Sequence, residues 1–314
     1  MLGYLVRRLA TAIPTLLLVS IAVFALIRLI PGDPVQLMLG DSADPQSVAA
    51  LRQQLGLDQS MPVQFGLWLG KIAMGDFGQS ITTGQAVLPL MIARFQVSAI
   101  IVLMAVALAA LISVPGGLIA AWRQNKATDI AIVAASTLLL SLPSFWLGLL
   151  LLLFFGLKLG WLPVIGYVPF SESPGAALVY LVLPIATLTL IEIGVITRMS
   201  RASAIEVLRL EYVTHARAKG VPEAGVLARH VLPNAFAPTW TLIGLILGNL
   251  LGGIAVIETV FTLPGFGRLM VDAIFARDYP IVQGCLLFTA VIYVLVNLVV
   301  DLCYPLFDPR VTAE

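Results

Sequence analysis

The sequence has little charge of either sign. Only 11% of its 314 residues are charged, 60% are hydrophobic, and the formal net charge is +1. Nucleic-acid-binding proteins carry a strongly basic surface, which this composition lacks. A soluble globule of this length also needs more polar surface than so few charged residues supply. The composition therefore excludes nucleic acid as a partner and predicts a protein surrounded by membrane lipid, in keeping with its mean hydropathy of +1.01.

Cysteine and histidine are equally scarce. The two cysteines, Cys285 and Cys303, lie 18 residues apart in one apolar run, which is about 27 Å along a helix. This separation excludes a disulfide between them within that helix. The two histidines, His215 and His230, have no cluster of cysteines or carboxylates beside them, so the sequence predicts no metal site.

Long apolar runs are what the sequence does have. Six of them reach the roughly 20 residues that are needed to cross a hydrocarbon core about 30 Å thick. The first run follows Arg7-Arg8 and exceeds the core of a secretory signal, so it is interpreted as a retained signal anchor. The predicted fold is all-α, a polytopic membrane protein with six transmembrane helices. The runs cover residues 9–30, 95–121, 130–157, 176–197, 235–257 and 281–304.

Basic residues indicate how the chain is oriented, because Lys and Arg in short connections resist translocation. With the N-terminus inside, the cytoplasmic segments carry eleven basic residues, whereas the short outer connections carry only Lys158, Arg268 and Arg277. Both termini are therefore expected in the cytoplasm, with the chain passing several times through the inner (plasma) membrane. The cytoplasmic set is Arg7, Arg8, Arg123, Lys126, Arg198, Arg201, Arg209, Arg217, Lys219, Arg229 and Arg310.

The same runs divide the chain. Residues 1–30 hold the N-terminus and first helix, residues 31–94 a periplasmic segment, residues 95–304 helices two to six, and residues 305–314 a cytoplasmic tail. The segment 31–94 opens with Pro31-Gly32-Asp33-Pro34 and has a helical pattern at 47–57. Its apolar side chains favour a small folded cap over a loose loop, because exposed apolar surface of this kind tends to be buried. They are Leu51, Leu55, Phe65, Leu67, Trp68, Leu69, Met74 and Phe77.

Three features of the apolar runs are candidates for function or for helix packing. Pro143 is expected to kink the third run, because proline cannot donate a backbone hydrogen bond. Glu192 in the fourth run either faces the translocation path or forms a structural hydrogen bond or ion pair inside the bundle. In the fifth run, glycines at four-residue intervals favour close helix packing, while the neighbouring Asn249 is a candidate pore-lining residue. The glycines are Gly244, Gly248 and Gly252.

Beyond the fifth run, a proline-glycine turn leads into a short amphipathic segment. Arg268 and Asp272 are spaced i, i+4 in it, and Asp278 follows before the sixth run. The segment is either an outer gate formed by Pro264, Gly265, Arg268 and Asp278 or a plain solvated connection.

The polar stretch 198–234 is the part of the sequence that most suggests a mechanism. Gly220 can end a helix in the left-handed conformation, and Pro222 stands just beyond it. A second short helix is expected over 223–230, before Pro233 begins the fifth run. Two short helices joined at a glycine form a stiff lever that can transmit displacement into the attached spans.

This stretch resembles the EAA loop of ABC-importer permeases. That pattern has Glu-Ala-Ala, three residues, Gly, nine residues, a hydrophobic residue, one residue and Leu-Pro. Gly220, Leu232-Pro233 and Ala216 are in register with it. Thr214 stands in place of the glutamate, His215 in place of the first alanine, and His230 in place of the hydrophobic residue. The coupling residues that the resemblance implies are Tyr212, Thr214, His215, Ala216, Arg217, Ala218, Lys219, Gly220, Leu232 and Pro233.

Further short motifs in the same order make the whole chain similar to the dipeptide, oligopeptide and nickel permeases among the binding-protein-dependent ABC importers. They are Leu5-Val6-Arg7-Arg8-Leu9, Pro31-Gly32-Asp33-Pro34, Leu55-Gly56-Leu57-Asp58, Gly75-Asp76-Phe77-Gly78, Pro143-Ser144-Phe145-Trp146, Gly160-Trp161-Leu162-Pro163, Ala216-Arg217-Ala218-Lys219-Gly220, Pro264-Gly265-Phe266-Gly267-Arg268, Arg277-Asp278-Tyr279-Pro280 and Asp308-Pro309-Arg310.

The resemblance implies a type I importer permease fold and a permease subunit that is not itself an enzyme. Its expected partners are a homologous second permease, two cytoplasmic ATPases and an extracytoplasmic solute-binding protein, either periplasmic or a lipoprotein. The chain has no G-x-x-x-x-G-K-[ST] phosphate loop, so ATP and Mg are expected on the ATPases and no cofactor on this chain. Peptides, glutathione-like compounds and chelated nickel are all substrates of similar permeases, and alternating access is the implied mechanism.

Three other classes of membrane protein are alternatives to an ABC-importer permease. An ion-coupled secondary transporter would use the intramembrane carboxylates Glu192, Glu258 or Asp301, but no inverted repeat is evident. A membrane-embedded hydrolase would need convergent catalytic groups within the membrane, and neither histidine lies in an apolar run. A purely structural subunit leaves the 198–234 stretch unexplained.

Overall fold

The computed structural model describes residues 2–29 and 58–307, together with positions 44, 46, 49 and 53. Several sequence predictions lie outside the described residues. They concern the 31–34 turn, the 47–57 helical pattern, the 308–310 motif and the side chains of Arg7 and Arg8. Within 58–307 the chain is helical, and its only β-structure is an isolated antiparallel bridge between Gln79 and Ala86. The helices are α1 (Leu2–Leu29), α2 (Met61–Ala73), α3 (Val87–Trp122), α4 (Ala127–Ser141), α5 (Ser144–Leu151, continued by a π-helical turn Leu152–Lys158), α6 (Pro174–Leu208), α7 (Glu211–Ala218), α8 (Glu223–Val226, continued by a π-helical turn Leu227–Val231), α9 (Leu232–Gly253), α10 (Ala255–Val260), α11 (Phe266–Phe275) and α12 (Tyr279–Phe307).

Helices α3 and α6 form the centre of the molecule. They have 36 and 35 residues, or about 53 Å each, so both extend well beyond a hydrocarbon core of about 30 Å. Small residues and backbone-directed hydroxyls hold them together, as is usual where lipid removes the hydrophobic drive between helices. The Thr189 hydroxyl donates to the Ala105 carbonyl at 3.3 Å, and the Ser200 hydroxyl to the Val114 carbonyl at 3.2 Å.

The glycine stripe predicted in the fifth apolar run packs α9 against α12. A Cβ on Gly248 would lie 2.7 Å from the ring of Tyr293, and one on Gly252 would lie 2.9 Å from Thr289. A Cβ on Gly244 would lie even closer to the side chain of Val300. The close helix contact expected from this stripe is therefore confirmed, and it lies within the chain.

The third apolar run is not a single kinked helix. Helices α4 and α5 meet at an angle of 98°. Leu142 and Pro143 between them are extended, with ψ values of 127° and 138°. Proline disfavours helical backbone in the residue before it and cannot continue the hydrogen-bond ladder. The effect of Pro143 is therefore a break, which is larger than the predicted kink.

Helix α2 packs against α1 through aromatic rings. Phe24 contacts Phe65 and Trp68 with ring centroids 5.4 and 5.7 Å apart, and the Arg28 guanidinium donates to the Gln64 side-chain oxygen. Part of the apolar surface expected in the cap is thus buried, although Met74 remains 80% exposed. Residues 87–94, which the sequence placed in this segment, are instead the first two turns of α3.

Four helical segments are long and apolar enough to cross a membrane: Val87–Trp122, Pro174–Leu208, Glu223–Gly253 and Tyr279–Pro305. The bent pair α4–α5 makes a fifth if it is counted as one span, and the apolar part of α1, Ala10–Leu26, is shorter. The described residues therefore form a multi-pass helical membrane protein.

Candidate functional site

The polar stretch 198–234 begins as a continuation of α6. The helix does not end at residue 197, where the apolar run ends, but continues to Leu208. Residues 198–208 contain no glycine or proline, so nothing in the backbone stops the helix at the edge of the apolar region. Leu210 then adopts an extended conformation and α7 starts at Glu211.

Helix α7 has one buried face and one exposed face. Val213 and Ala216 are buried against Ala204, Val226 and Val231. Ala216, one of the coupling residues that the resemblance implies, lies in this core, because the i, i+3 spacing places it on the same face as Val213. Of the other coupling residues predicted from the sequence, Leu232 is half-buried and the exposed ones are Tyr212, Thr214, His215, Arg217, Ala218, Lys219, Gly220 and Pro233.

Gly220 turns the chain at the end of α7. Its φ is +77°, which is a left-handed conformation that glycine adopts without steric cost. The Gly220 and Val221 N–H groups donate to the carbonyls of Arg217 at 2.9 Å and Ala216 at 3.2 Å, closing the end of the helix. This confirms the predicted glycine stop. Arg217 also pairs with Glu223 across the turn through two hydrogen bonds of 2.9 and 3.3 Å.

The second helix of the stretch is not a separate short element. From Glu223 the chain runs without a break through the π-helical turn into α9, ending at Gly253. Pro233 lacks the N–H that an α-helix needs at this point, and the wider π-helical turn lies immediately before it. The Tyr212 hydroxyl donates to the His230 carbonyl at 3.4 Å, linking α7 to this helix. Helix α7 is therefore attached at both ends, to α6 and to the helix that ends at Gly253.

An ion pair that the sequence analysis missed joins α6 to the start of α4. The Arg201 guanidinium donates two hydrogen bonds to the Asp129 carboxylate, at 2.6 and 2.7 Å, and Asp129 is only 3% exposed. The N–H of Asn125, at a φ of +62°, donates to the same carboxylate at 2.9 Å. Nearby, Gly117 lets α3 approach the backbone of Arg201. The only sequence signal was a single acidic residue in a turn otherwise bearing Arg123 and Lys126.

Beyond the other end of α9, a buried carboxylate organises residues 254–278, the outer hairpin, which comprises α10, the proline-glycine turn and α11 and is expected outside the membrane. Glu258 is fully buried and accepts hydrogen bonds from the Ser98 hydroxyl and, at 2.7 Å, from the Arg268 N–H. Ser98 in turn accepts the Phe266 N–H at 2.8 Å. A Cβ on Gly265 would overlap the Glu258 carboxyl. Burial raises the pKa of Glu258 above its ordinary value, and the hydrogen bonds from Ser98 and from the backbone oppose that rise.

A second buried carboxylate, Asp278, fixes the other end of the hairpin. One of its oxygens accepts three hydrogen bonds, from the Ser80 hydroxyl at 2.5 Å, the Thr82 hydroxyl at 2.8 Å and the Thr82 N–H at 3.2 Å. Burial raises the pKa of Asp278, but these hydrogen bonds outweigh burial and leave the pKa below its ordinary value. Of the predicted gate residues, Pro264, Gly265 and Arg268 line one cleft and Asp278 does not.

The two candidate residues for a translocation path lie on different helices. Glu192 is buried on α6, and its carboxylate makes no hydrogen bond or ion pair with any residue that the structure describes. Asn249 is exposed in a groove of about 420 Å³ between α1, α9 and α12, and Glu192 does not line this groove. The structure does not bring them together.

Comparison with known proteins agrees with this architecture. Residues 113–313 match the family described as binding-protein-dependent transport system inner membrane component, and residues 1–102 match the N-terminal family of such membrane components. A putative peptide transport system permease protein of Brucella suis is 42% identical over 311 residues, covering 99% of both chains. The dipeptide transport system permease protein of Alkalihalophilus pseudofirmus and the glutathione transport system permease protein of Escherichia coli are each 38% identical, again over 99% of both chains.

A crystal structure of an amino acid ABC transporter with histidines overlaps 71% of this chain and 94% of its own, with 16% identity and a TM-score of 0.48. The family matches concern transport proteins of the membrane and favour neither the ion-coupled transporter nor the hydrolase that the sequence left as alternatives. The chain therefore belongs to the family of binding-protein-dependent transport system inner membrane components, as a multi-pass permease subunit of an ABC importer and not an enzyme.

Proposed function

We propose that this chain is one of two homologous permease subunits in an ATP-driven importer of short peptides. Such an importer receives its substrate from a solute-binding protein outside the membrane and releases it into the cytoplasm by alternating access. The relatives that are named as peptide, dipeptide and glutathione permeases support this substrate class. ATP and Mg belong to two separate ATPase subunits, since this chain has no phosphate loop.

The observation that carries the proposal is the exposed face of α7 together with its attachments. The exposed Thr214, His215, Ala218 and Lys219 present a surface to a partner, while Val213 on the opposite face fixes the helix to the membrane core. An ATPase that changes shape on binding ATP would move this helix. Such coupling requires contacts that differ between two states of the complex.

The attachments of α7 define which helices move with it. Leu210 joins it to α6, and the Gly220 turn joins it to the unbroken helix that ends at Gly253. The Arg201–Asp129 pair adds the α3–α4 turn to the same unit. The carboxylate of Glu258 then connects the outer end of this unit back to α3 through Ser98. Movement of α7 is thus expected to displace the outer hairpin as part of one body.

We expect the chain to cross the membrane six times. The crossings are α1, α3, the bent pair α4–α5, α6, the run ending with α9, and α12. Helix α9 has 22 residues, about 33 Å, which is enough to cross the hydrocarbon core and to separate α7 from the outer hairpin. With α7 in the cytoplasm, both termini are cytoplasmic and residues 58–86 are extracytoplasmic. Glu192 and Asn249 remain candidates for the path between these two sides.

Substitution on the exposed face of α7 tests the proposal. Ala218→Trp adds bulk where an ATPase would dock. Ala127→Trp adds the same bulk at an exposed alanine, the first residue of α4. In cells that contain the whole importer, we expect Ala218→Trp to abolish ATP-dependent peptide uptake with normal insertion, and Ala127→Trp to retain it. Full uptake by the Ala218→Trp protein at normal expression would contradict the proposed role of α7.

A further inference from the structure

A small basic cleft lies at the outer hairpin, where the α10–α11 turn faces the first turns of α3. Its volume is about 240 Å³, and its charged walls are Arg94 from α3 and Arg268 and Asp272 from α11. Thr262, in the left-handed region at a φ of +54°, completes the rim.

Arg94 is half-buried and has no ion-pair partner among the residues that the structure describes. Its guanidinium makes no hydrogen bond or ion pair with the residues in 2–29 and 58–307. Burial raises the pKa of Tyr167, and the charge of Arg94 opposes part of that rise at longer range. Partial burial of a charge without a partner is unfavourable. An anion that enters the cleft would remove this penalty.

Arg268 is only weakly neutralised. Its Nε lies 3.7 Å from the nearest Asp272 oxygen, which is beyond hydrogen-bond distance, and the two side chains are 36% and 68% exposed. Exposed pairs of this kind contribute little. The cleft therefore has two guanidiniums and one carboxylate, and its net charge is about +1 at neutral pH.

The backbone beneath both arginines is fixed by one group, the buried Glu258. Ser98, one helical turn after Arg94, donates to this carboxylate, and the N–H of Arg268 donates to its other oxygen. A site whose supporting backbone is already ordered loses less entropy when it binds a ligand. The two arginines are thus held at a common cleft before any ligand arrives.

We propose that this cleft binds the terminal carboxylate of a peptide as it enters the permease from outside, an inference that rests on the proposed function. Guanidinium groups suit a carboxylate because their donors match its two oxygens. The cleft is smaller than the roughly 300–1,000 Å³ of pockets that enclose whole ligands, so it accommodates an end residue and leaves the rest of the peptide outside.

The test compares uptake of a radiolabelled dipeptide, alanyl-alanine, with uptake of its C-terminal amide, in proteoliposomes that contain the complete importer and its binding protein. The variants are Arg94→Gln, Arg94→Lys and, as a matched control, Lys158→Gln, since Lys158 is exposed and does not line the cleft. The measured quantity is the ratio of acid uptake to amide uptake. This ratio separates recognition by the permease from recognition by the binding protein, which is the same in every sample.

For Arg94→Gln we expect the uptake of the acid to fall about tenfold, as for the loss of one charge-assisted hydrogen bond, while uptake of the amide stays unchanged. Arg94→Lys should retain part of the wild-type ratio of acid uptake to amide uptake. Lys158→Gln should leave that ratio unchanged. An unchanged ratio in Arg94→Gln would overturn the inference. An equal fall for both probes would also overturn it and would assign Arg94 to binding-protein docking, to an anionic lipid or to folding. If the wild-type importer takes up neither probe, the peptide function itself fails and the inference fails with it.

Discussion

The ion pair between Arg201 and Asp129 is the contact whose removal most directly tests how α6 is coupled to its neighbours. Arg201→Met removes both hydrogen bonds and leaves the Asp129 carboxylate buried without its cation. Breaking a buried pair in this way costs about 3–5 kcal/mol. Because the Arg201 side chain is 25% exposed, water compensates part of the loss, and we expect the lower end of that range, about 3 kcal/mol.

Two assays measure the effect. In thermal unfolding of the purified importer, a loss of about 3 kcal/mol corresponds to a decrease in Tm of about 4–5 °C for a chain of this size. In uptake assays, we expect the peptide transported per ATP hydrolysed to fall, because α6 moves without the α3–α4 turn. Arg198→Met is the control, since Arg198 is an exposed arginine of the same helix.

The double variant Asp129→Asn/Arg201→Met separates the ion pair from side effects of each substitution. With both charges removed, the protein should recover part of the stability that Arg201→Met loses, because no charge is left buried alone. If Arg201→Met is no less stable than Arg198→Met and transports as efficiently, the pair does not couple these helices.

Three further predictions concern the turn and the hairpin. Gly220→Ala should cost about 1–2 kcal/mol and reduce uptake, because an L-residue is strained at a φ of +77°; unaltered uptake would mean that the turn is not mechanically important. Gly265→Ala should destabilise the importer by about 1–3 kcal/mol through overlap with Glu258, whereas Gly253→Ala, with open space around it, should cost much less; equal Tm values would contradict the observed packing. Because the folded-state pKa of Asp278 is lowered, the ionised carboxylate stabilises the fold fully at pH values above the ordinary pKa of 3.8. This stabilisation is lost as the pH falls through the folded-state pKa. The Tm of Asp278→Asn should therefore decrease less between pH 7 and pH 3 than the Tm of the wild-type protein.

Much of the local structure could be predicted from the sequence because its signals are local. Apolar runs predicted where the long helices lie, the spacing of Gly244, Gly248 and Gly252 predicted close helix packing although not its partner α12, and Gly220 with Pro222 predicted the turn after α7. In each case the signal is a pattern of residues that are close together in the sequence.

What could not be predicted depends on contacts between distant parts of the chain. The end of α6 was misplaced because a helix stops at a backbone signal and not where the apolar run stops. The burial of Ala216 could not be predicted, because tertiary packing decides which face of a short helix is buried. The Asp129–Arg201 pair joins residues 72 positions apart, and the Ser98–Glu258 hydrogen bond joins residues 160 apart. No periodicity or motif encodes such pairings.

Crosslinking from α7 tests the central claim, that an ATPase holds this helix, more directly than any other measurement. A photo-reactive residue at the exposed Lys219, introduced into the complete importer, is predicted to crosslink to an ATPase subunit with a yield that changes when ATP binds. The same residue at Lys158, which is also exposed, is predicted to give no such product. If Lys219 never crosslinks to an ATPase while peptide uptake continues, the account of coupling through α7 is contradicted.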